Sequence, residues 1–289
     1  MRDQAESLRL RLQRINDQSE AKVIAVVSGK GGVGKSNFSL NFSINLAKSG
    51  QNVLLVDMDI GMGNIDILMG QSSKGSFVDL FKQGVTIHDL IKNGPGGISY
   101  ISGGSGLATI FKLDHDKLTY LISQLEKLSL EYDYILFDMG AGVTEDTLQL
   151  LLSVHEIFVI TTPEPTSITD AYSMMKFICS KEHHAEFYLV VNRVQSEKEG
   201  IQTLTRLSEV MKQFLRKEIV KLGFLPDDRS VYKAVSRQIP FSIYDPKSAA
   251  SRSMNELTKK YTSGSIEGAK PKSKSLGFIT KLRHYFSER

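Results

Sequence analysis

Between residues 21 and 262, short β-rich apolar runs alternate with longer stretches of helical periodicity. The runs predict strands near residues 22–28, 52–57, 98–102, 133–138, 155–161, 186–192 and 219–225. Helices are expected over 35–49, 115–130, 144–153, 167–180, 198–217 and 247–261. This alternation predicts an α/β fold, a doubly wound, mostly parallel sheet with helices on both faces. Two segments have a different character. Residues 1–20 are charged with helical spacing, and 263–274 have the Ser/Gly/Lys/Pro composition of a linker leading to an amphipathic stretch at 275–289. Gly94-Pro-Gly-Gly97 and Gly103-Gly-Ser-Gly106 precede no Lys-Ser pair and read as turns.

Composition narrows this modestly. The chain has 289 residues, 41% of them hydrophobic, with no apolar run of membrane-spanning length and no secretion signal after Met1, so a cytoplasmic protein is expected. The single cysteine, Cys179, sits among Met174, Met175, Phe177 and Ile178 and reads as a packed thiol. The net charge is +4; arginines cluster near the N-terminal end, where acidic residues balance them, and the excess of Lys and Arg lies in the C-terminal segment.

The most informative segment is Gly29-Lys30-Gly31-Gly32-Val33-Gly34-Lys35-Ser36, between an apolar β-branched run and a helical pattern opening at Asn37. A glycine loop here lets backbone N–H groups turn onto a phosphate, and the helix N-terminus adds partial positive charge. Lys35 is expected on the β- and γ-phosphates and Ser36 on Mg²⁺. Val53-Leu-Leu-Val-Asp57-Met-Asp59 places two carboxylates at the end of the second strand. Asp59 leads into a glycine-bearing segment and is the candidate that orients the attacking water, and Asp57 is placed on the metal side; the alternative for both is that they cap a helix or line a turn. Tyr134-Ile-Leu-Phe-Asp138 supplies a third carboxylate for the metal, followed by Met139-Gly-Ala-Gly-Val143, which is suited to sensing a γ-phosphate. The late strand ends Val191-Asn192-Arg193-Val194, without the aspartate that reads guanine. Asn192 offers a donor and an acceptor to adenine. ATP with Mg²⁺ is therefore the expected ligand, with Arg193, Pro226 and Asp227 also lining its site.

With Lys30, Lys35, Asp59, Asp138 and Asn192 in place, residues 21–262 resemble the deviant Walker A ATPases of the MinD and ParA group, P-loop NTPases of the SIMIBI type. The resemblance implies slow regulatory ATP hydrolysis and a homodimer formed with ATP, in which Lys30 crosses to the phosphates of the second subunit.

The ends refine the reading. Phe278, Ile279, Leu282, Tyr285 and Phe286 fall within an arc of about 120°, with Lys281 and Arg283 near its borders. Such a helix suits an anionic membrane surface; the alternative is a helix packed on its own domain, against which the linker's length argues. At the other end, Asp3-Gln4-Ala5-x-x-Leu8-Arg9 is similar to the start of the FlhG (FleN, YlxH) family, MinD-like regulators of flagellar number and placement. Asp3 also reads as a helix cap. The resemblance implies that the arm, through Gln4, stimulates the GTPase FlhF, that flagellar switch (C-ring) proteins are partners, and that the protein lies on the inner face of the membrane, at poles or flagellar sites. Rival readings are a MinD-type division-site ATPase and a ParA-like DNA partitioner. Nucleic acid is not an expected partner, because the cations flank an apolar aromatic face instead of forming a phosphate-tracking stripe.

Overall fold

The computed structural model describes residues 20–59, 63–72, 75–104, 115–140, 145–181, 185–264 and 277–287. The arm residues Asp3, Gln4, Ala5, Leu8 and Arg9 and most of the linker lie outside this set.

Eight strands form one sheet in the order β3-β4-β2-β5-β1-β6-β7-β8. They are β1 Lys22–Val27, β2 Val53–Met58, β3 Lys92–Asn93, β4 Ser99–Ile101, β5 Tyr134–Met139, β6 Glu156–Thr161, β7 Glu186–Val194 and β8 Val220–Pro226. All pair in parallel except the two-residue edge strand β3, which runs antiparallel to β4. The helices are α1 Lys35–Lys48, α2 Ile65–Leu68, α3 Ile87–Leu90, α4 His115–Ser129, α5 Glu145–Ser153, α6 Pro165–Cys179, α7 Glu197–Leu215, α8 Arg229–Ser236, α9 Phe241–Tyr244, α10 Ala249–Ser263 and α11 Phe278–Ser287. None is long and apolar enough to cross a membrane.

Strand alternation divides the core in two. Val23, Ala25 and Val27 of β1 face one layer, which includes Phe137, Leu151 and Phe278, while Ile24 and Val26 face the other, with Phe38, Phe42 and Phe158. Helix α1 is enclosed nearly all round, which explains its poor amphipathicity. Its buried Ser39, Asn41, Ser43 and Asn45 each donate to a carbonyl one turn back, at 2.7–3.1 Å, so the polar run is satisfied internally.

Strand order reverses around β1, which lies between β5 and β6, so the crevice at its carboxyl end is the ligand position of an open α/β sheet. Register fixes what lines it: Asp138 stands opposite Val26 and Asp57 opposite Asp138.

The sequence favoured a surface-seeking tail helix, and the structure packs it on the chain's own domain. Phe278, Ile279 and Leu282 are buried within the core layer that includes α4 and α5, and Phe278 meets Phe137 at 6.1 Å between ring centroids. Tyr285 is half-buried and Arg283 is exposed, paired with Glu126 of α4 at 2.8 Å. The apolar arc therefore has an internal partner in this conformation.

Candidate nucleotide site

The loop between β1 and α1 is held from two sides. Gly34 caps α1 in the left-handed region (φ 93°), and a Cβ there would run into the Asn192 amide. Gly29 lies so close to the backbone of α6 at Asp170 that a side chain would not fit. Gly31 and Gly32 are exposed, Val33 is buried, and Ser36 and Asn37 are half-exposed on the first turn of α1.

Lys35 is buried and its Nζ lies 2.9 Å from Asp138 Oδ1, which also accepts from Ser39 Oγ at 2.7 Å. Asp138 Oδ2 is buried with no hydrogen-bond partner. That orphan acceptor, with a serine hydroxyl available on the first turn of α1 at Ser36, is the kind of oxygen donor a hard cation takes directly or through water, so the residue types present fit Mg²⁺. Ser39 was missed in the sequence, although it lies four residues beyond Lys35 on the same helix face.

Asp57 comes beside Asp138 through the pairing of β2 with β5, but its oxygens are turned to backbone. Oδ1 accepts from Asp59 N at 3.0 Å, and Oδ2 from Asn64 N at 3.0 Å and Ile65 N at 3.2 Å, the start of α2. In this conformation Asp57 does the capping that the sequence left as its alternative. Burial, and then Asp138, push its pKa up to about 6. Asp59 also sits above the ordinary carboxylate range, chiefly through burial, with Lys35 opposing and Asp138 assisting. Its Oδ1 lies against Gly140, the residue following β5, where a Cβ would approach it to 3.3 Å.

Asn192 is similarly engaged. Its Nδ2 donates to Val33 O at 2.8 Å and its Oδ1 accepts from Arg193 N at 3.0 Å, leaving one N–H and one lone pair for a base. Arg193 adopts φ 58°. Pro226 pairs with Val194, Asp227 N donates to Val194 O at 2.9 Å, and Gln195 Nε2 donates to Asp227 Oδ2 at 3.0 Å. Residues 192–195 and 226–227 thus form one shelf, tied to the phosphate loop through Asn192.

Lys30 is turned onto its own subunit. Its Nζ lies 3.2 Å from Glu164 Oε2 and 3.3 Å from Thr166 Oγ1, at the N-terminus of α6. Nothing in the sequence singled out Glu164 or Thr166. Cys179 is half-buried, and burial raises its thiol pKa.

A parallel sheet with this loop, a buried lysine and a carboxylate at the end of the adjacent strand defines a P-loop NTPase. Residues 19–262 match the ParA family model, described as NUBPL iron-transfer P-loop NTPase. Among curated proteins, the chain is 30% identical to the antiactivator FleN of Pseudomonas aeruginosa, covering 94% of this chain and 96% of that protein. It is also 30% identical to the flagellum site-determining protein YlxH of Helicobacter pylori, covering 93% of this chain and 92% of that protein. The solved cell-division ATPase MinD of Pyrococcus furiosus aligns with a TM-score of 0.71 and 25% identity over 84% of this chain and 99% of its own. The chain belongs to the ParA/MinD-like family of P-loop NTPases, in its FleN and YlxH (FlhG) branch. It is thus a MinD-like ATPase regulator.

Proposed function

We propose that this chain is an ATP-dependent dimerising switch that docks on the inner membrane surface and regulates flagellar number and placement, its N-terminal arm stimulating the GTPase FlhF. The observation that carries the flagellar reading is the match to FleN and YlxH along more than nine-tenths of the chain, and the resemblance of Asp3-Gln4-Ala5-x-x-Leu8-Arg9 to the start of that family supports it.

The residues supply the parts of such a switch. When ATP arrives, Lys35 exchanges Asp138 for phosphate oxygens, and Ser39 keeps hold of Asp138 Oδ1. Ser36 and Asp138 would hold Mg²⁺, which when bound neutralises charge on the phosphates. Asp59, its pKa raised chiefly by burial, orients the water. Lys30 leaves Glu164 and crosses to the second subunit's nucleotide, so that the dimer forms only around a triphosphate.

The docked tail extends this reading. Helix α5, one of the two helices beneath the tail, begins six residues after Met139 ends β5, just beyond the Met139–Val143 segment expected to sense the γ-phosphate. A shift of that segment would move the floor of the tail's groove. ATP would then both unmask the tail and, by pairing two copies, give it avidity for lipid.

A peptide of residues 1–20 added to FlhF tests the assignment. Faster GTP hydrolysis, lost with Gln4→Ala, is expected; no acceleration would count against it. A deletion strain separates the flagellar reading, which gives altered flagellar number or position, from a MinD-type role, which gives minicells.

A further inference from the structure

The docked tail buries a cation. Lys281 is only 4% exposed, between Phe278 and Leu282 of the same helix, which are 0% and 1% exposed. The charged groups around it do not compensate. Lys22 of β1 is the group whose charge it feels, and the neighbouring His155, at the junction of α5 and β6, is a neutral ring whose pKa the lysine helps to lower. Lys22 is spent on Glu156 at 2.6 Å, and Glu156 also accepts from Tyr261 Oη at 2.6 Å. On α4, Glu126 is taken by Arg283. Among the described residues, no acidic side chain pairs with Lys281. Burial, with Lys22 assisting, lowers its pKa.

The helical wheel places Lys281 at the border of the apolar arc, where a lysine would reach out of a lipid interface. The dock turns it inward instead. One side chain therefore acts with opposite sign in two environments. In the groove, its ammonium loses water and gains no acidic partner among the described residues. At a headgroup layer its methylene stem stays among acyl chains while the ammonium reaches phosphates.

We infer that Lys281 keeps the docked tail poised to leave, and that the partner for which it is kept is an anionic lipid surface. The inference rests on the membrane-switch reading and makes a claim separable from it. Lys281 weakens the dock and strengthens the lipid contact, so it sets how far nucleotide must shift the helix before it detaches. Arg283, two residues away, should behave oppositely in the dock, because its charge is exposed and paired with Glu126.

Hydrogen exchange over residues 277–287 of the full chain, without nucleotide or vesicles, reads the dock directly. Lys281→Met, which keeps the stem, should raise protection at least about tenfold. Lys281→Gln should give a smaller gain of the same sign and covers the case in which the methionine variant misfolds, while Arg283→Gln should lower protection. With ATP, sedimentation with phosphatidylcholine/phosphatidylglycerol vesicles should require about fivefold more lipid for Lys281→Met, with no such change on pure phosphatidylcholine. Unchanged or lower protection in both Lys281 variants overturns the inference. If protection rises but wild-type protein with ATP ignores anionic vesicles, the lipid partner and the membrane reading both fall, and the role of Lys281 in the dock stands.

Discussion

Lys35 and Asp138 form a buried ion pair 2.9 Å long across the strand-to-helix crevice. The lysine that should grip phosphate is thus held by the carboxylate that should serve the metal. Lys35→Ala is expected to abolish nucleotide binding and also to lower the melting temperature of the nucleotide-free protein, since Asp138 is left buried without its cation. Asp138→Asn, which removes the charge from the other side, should melt closer to wild type. Calorimetry of both, with titration of a fluorescent ATP analogue, checks this; equal destabilisation by the two would contradict it.

Glu164 holds Lys30 within its own subunit, at 3.2 Å and in solvent. Exposed pairs of this kind are weak, so Glu164→Gln should lower the ATP concentration for half-maximal dimerisation only about twofold to fivefold. Sedimentation velocity in an Asp59→Ala background, where hydrolysis cannot deplete the dimer, gives the number. A requirement for more ATP would show that Glu164 assists the dimer instead.

Asp59 rests on Gly140 beside the phosphate loop, with its pKa raised. Asp59→Ala should cut turnover by about a hundredfold or more and leave ATP-dependent dimerisation intact. Phosphate release and light scattering measure the two properties separately, and undiminished hydrolysis would remove Asp59 from its role.

His155 is half-buried with its Nδ1 accepting from Val23 N at 3.0 Å, and its pKa falls to about 4 through loss of solvent, Lys281 and Lys22. The folded state therefore binds fewer protons than the unfolded chain between about pH 4 and 6.5, and stability rises with pH across that window. Asp57, raised from 3.8 to about 6, works in the opposite direction from about pH 4 to 6. Melting temperature should consequently fall more steeply on acidification in Asp57→Asn than in wild type, and less steeply in His155→Gln. Scans at half-unit pH steps would show the two slopes diverging; parallel slopes would rule out both shifts.

The fold was legible wherever side-chain period and turn chemistry coincide. β1, the phosphate loop and α1 follow from the apolar run Val23 to Val27, the four glycines of the loop and the helical spacing of Phe38, Phe42 and Leu46, and α4, α5, α6, α7 and α10 begin within two residues of their predicted starts. Short elements escaped: β3 has two residues, α2, α3 and α9 have four each, and α8 has eight, too few turns to show a period. At the site, residue types pointed to Lys35, Asp59 and Asp138, but not to the interactions of the state described. Asn192 on Val33, Asp57 on α2 and Lys30 on Glu164 are contacts across long sequence separations or with backbone, for which no motif exists. The tail shows the same limit. An apolar arc of 278, 279, 282 and 285 states that something must cover it, without stating whether lipid or protein does. Because Phe278 is fully buried against Phe137, Phe278→Glu should both undock the helix and prevent lipid binding, so it does not distinguish the two.

Glu20 and Gly277 touch: a side chain on Gly277 would collide with the Glu20 carboxylate. The nineteen-residue extension and the terminal helix are consequently rooted at a single corner of the domain, although more than 250 residues separate them along the chain. In the docked state the proposed partner arm and the proposed membrane helix would therefore start from one place on the surface, so a partner held by the arm would lie next to the helix before its release.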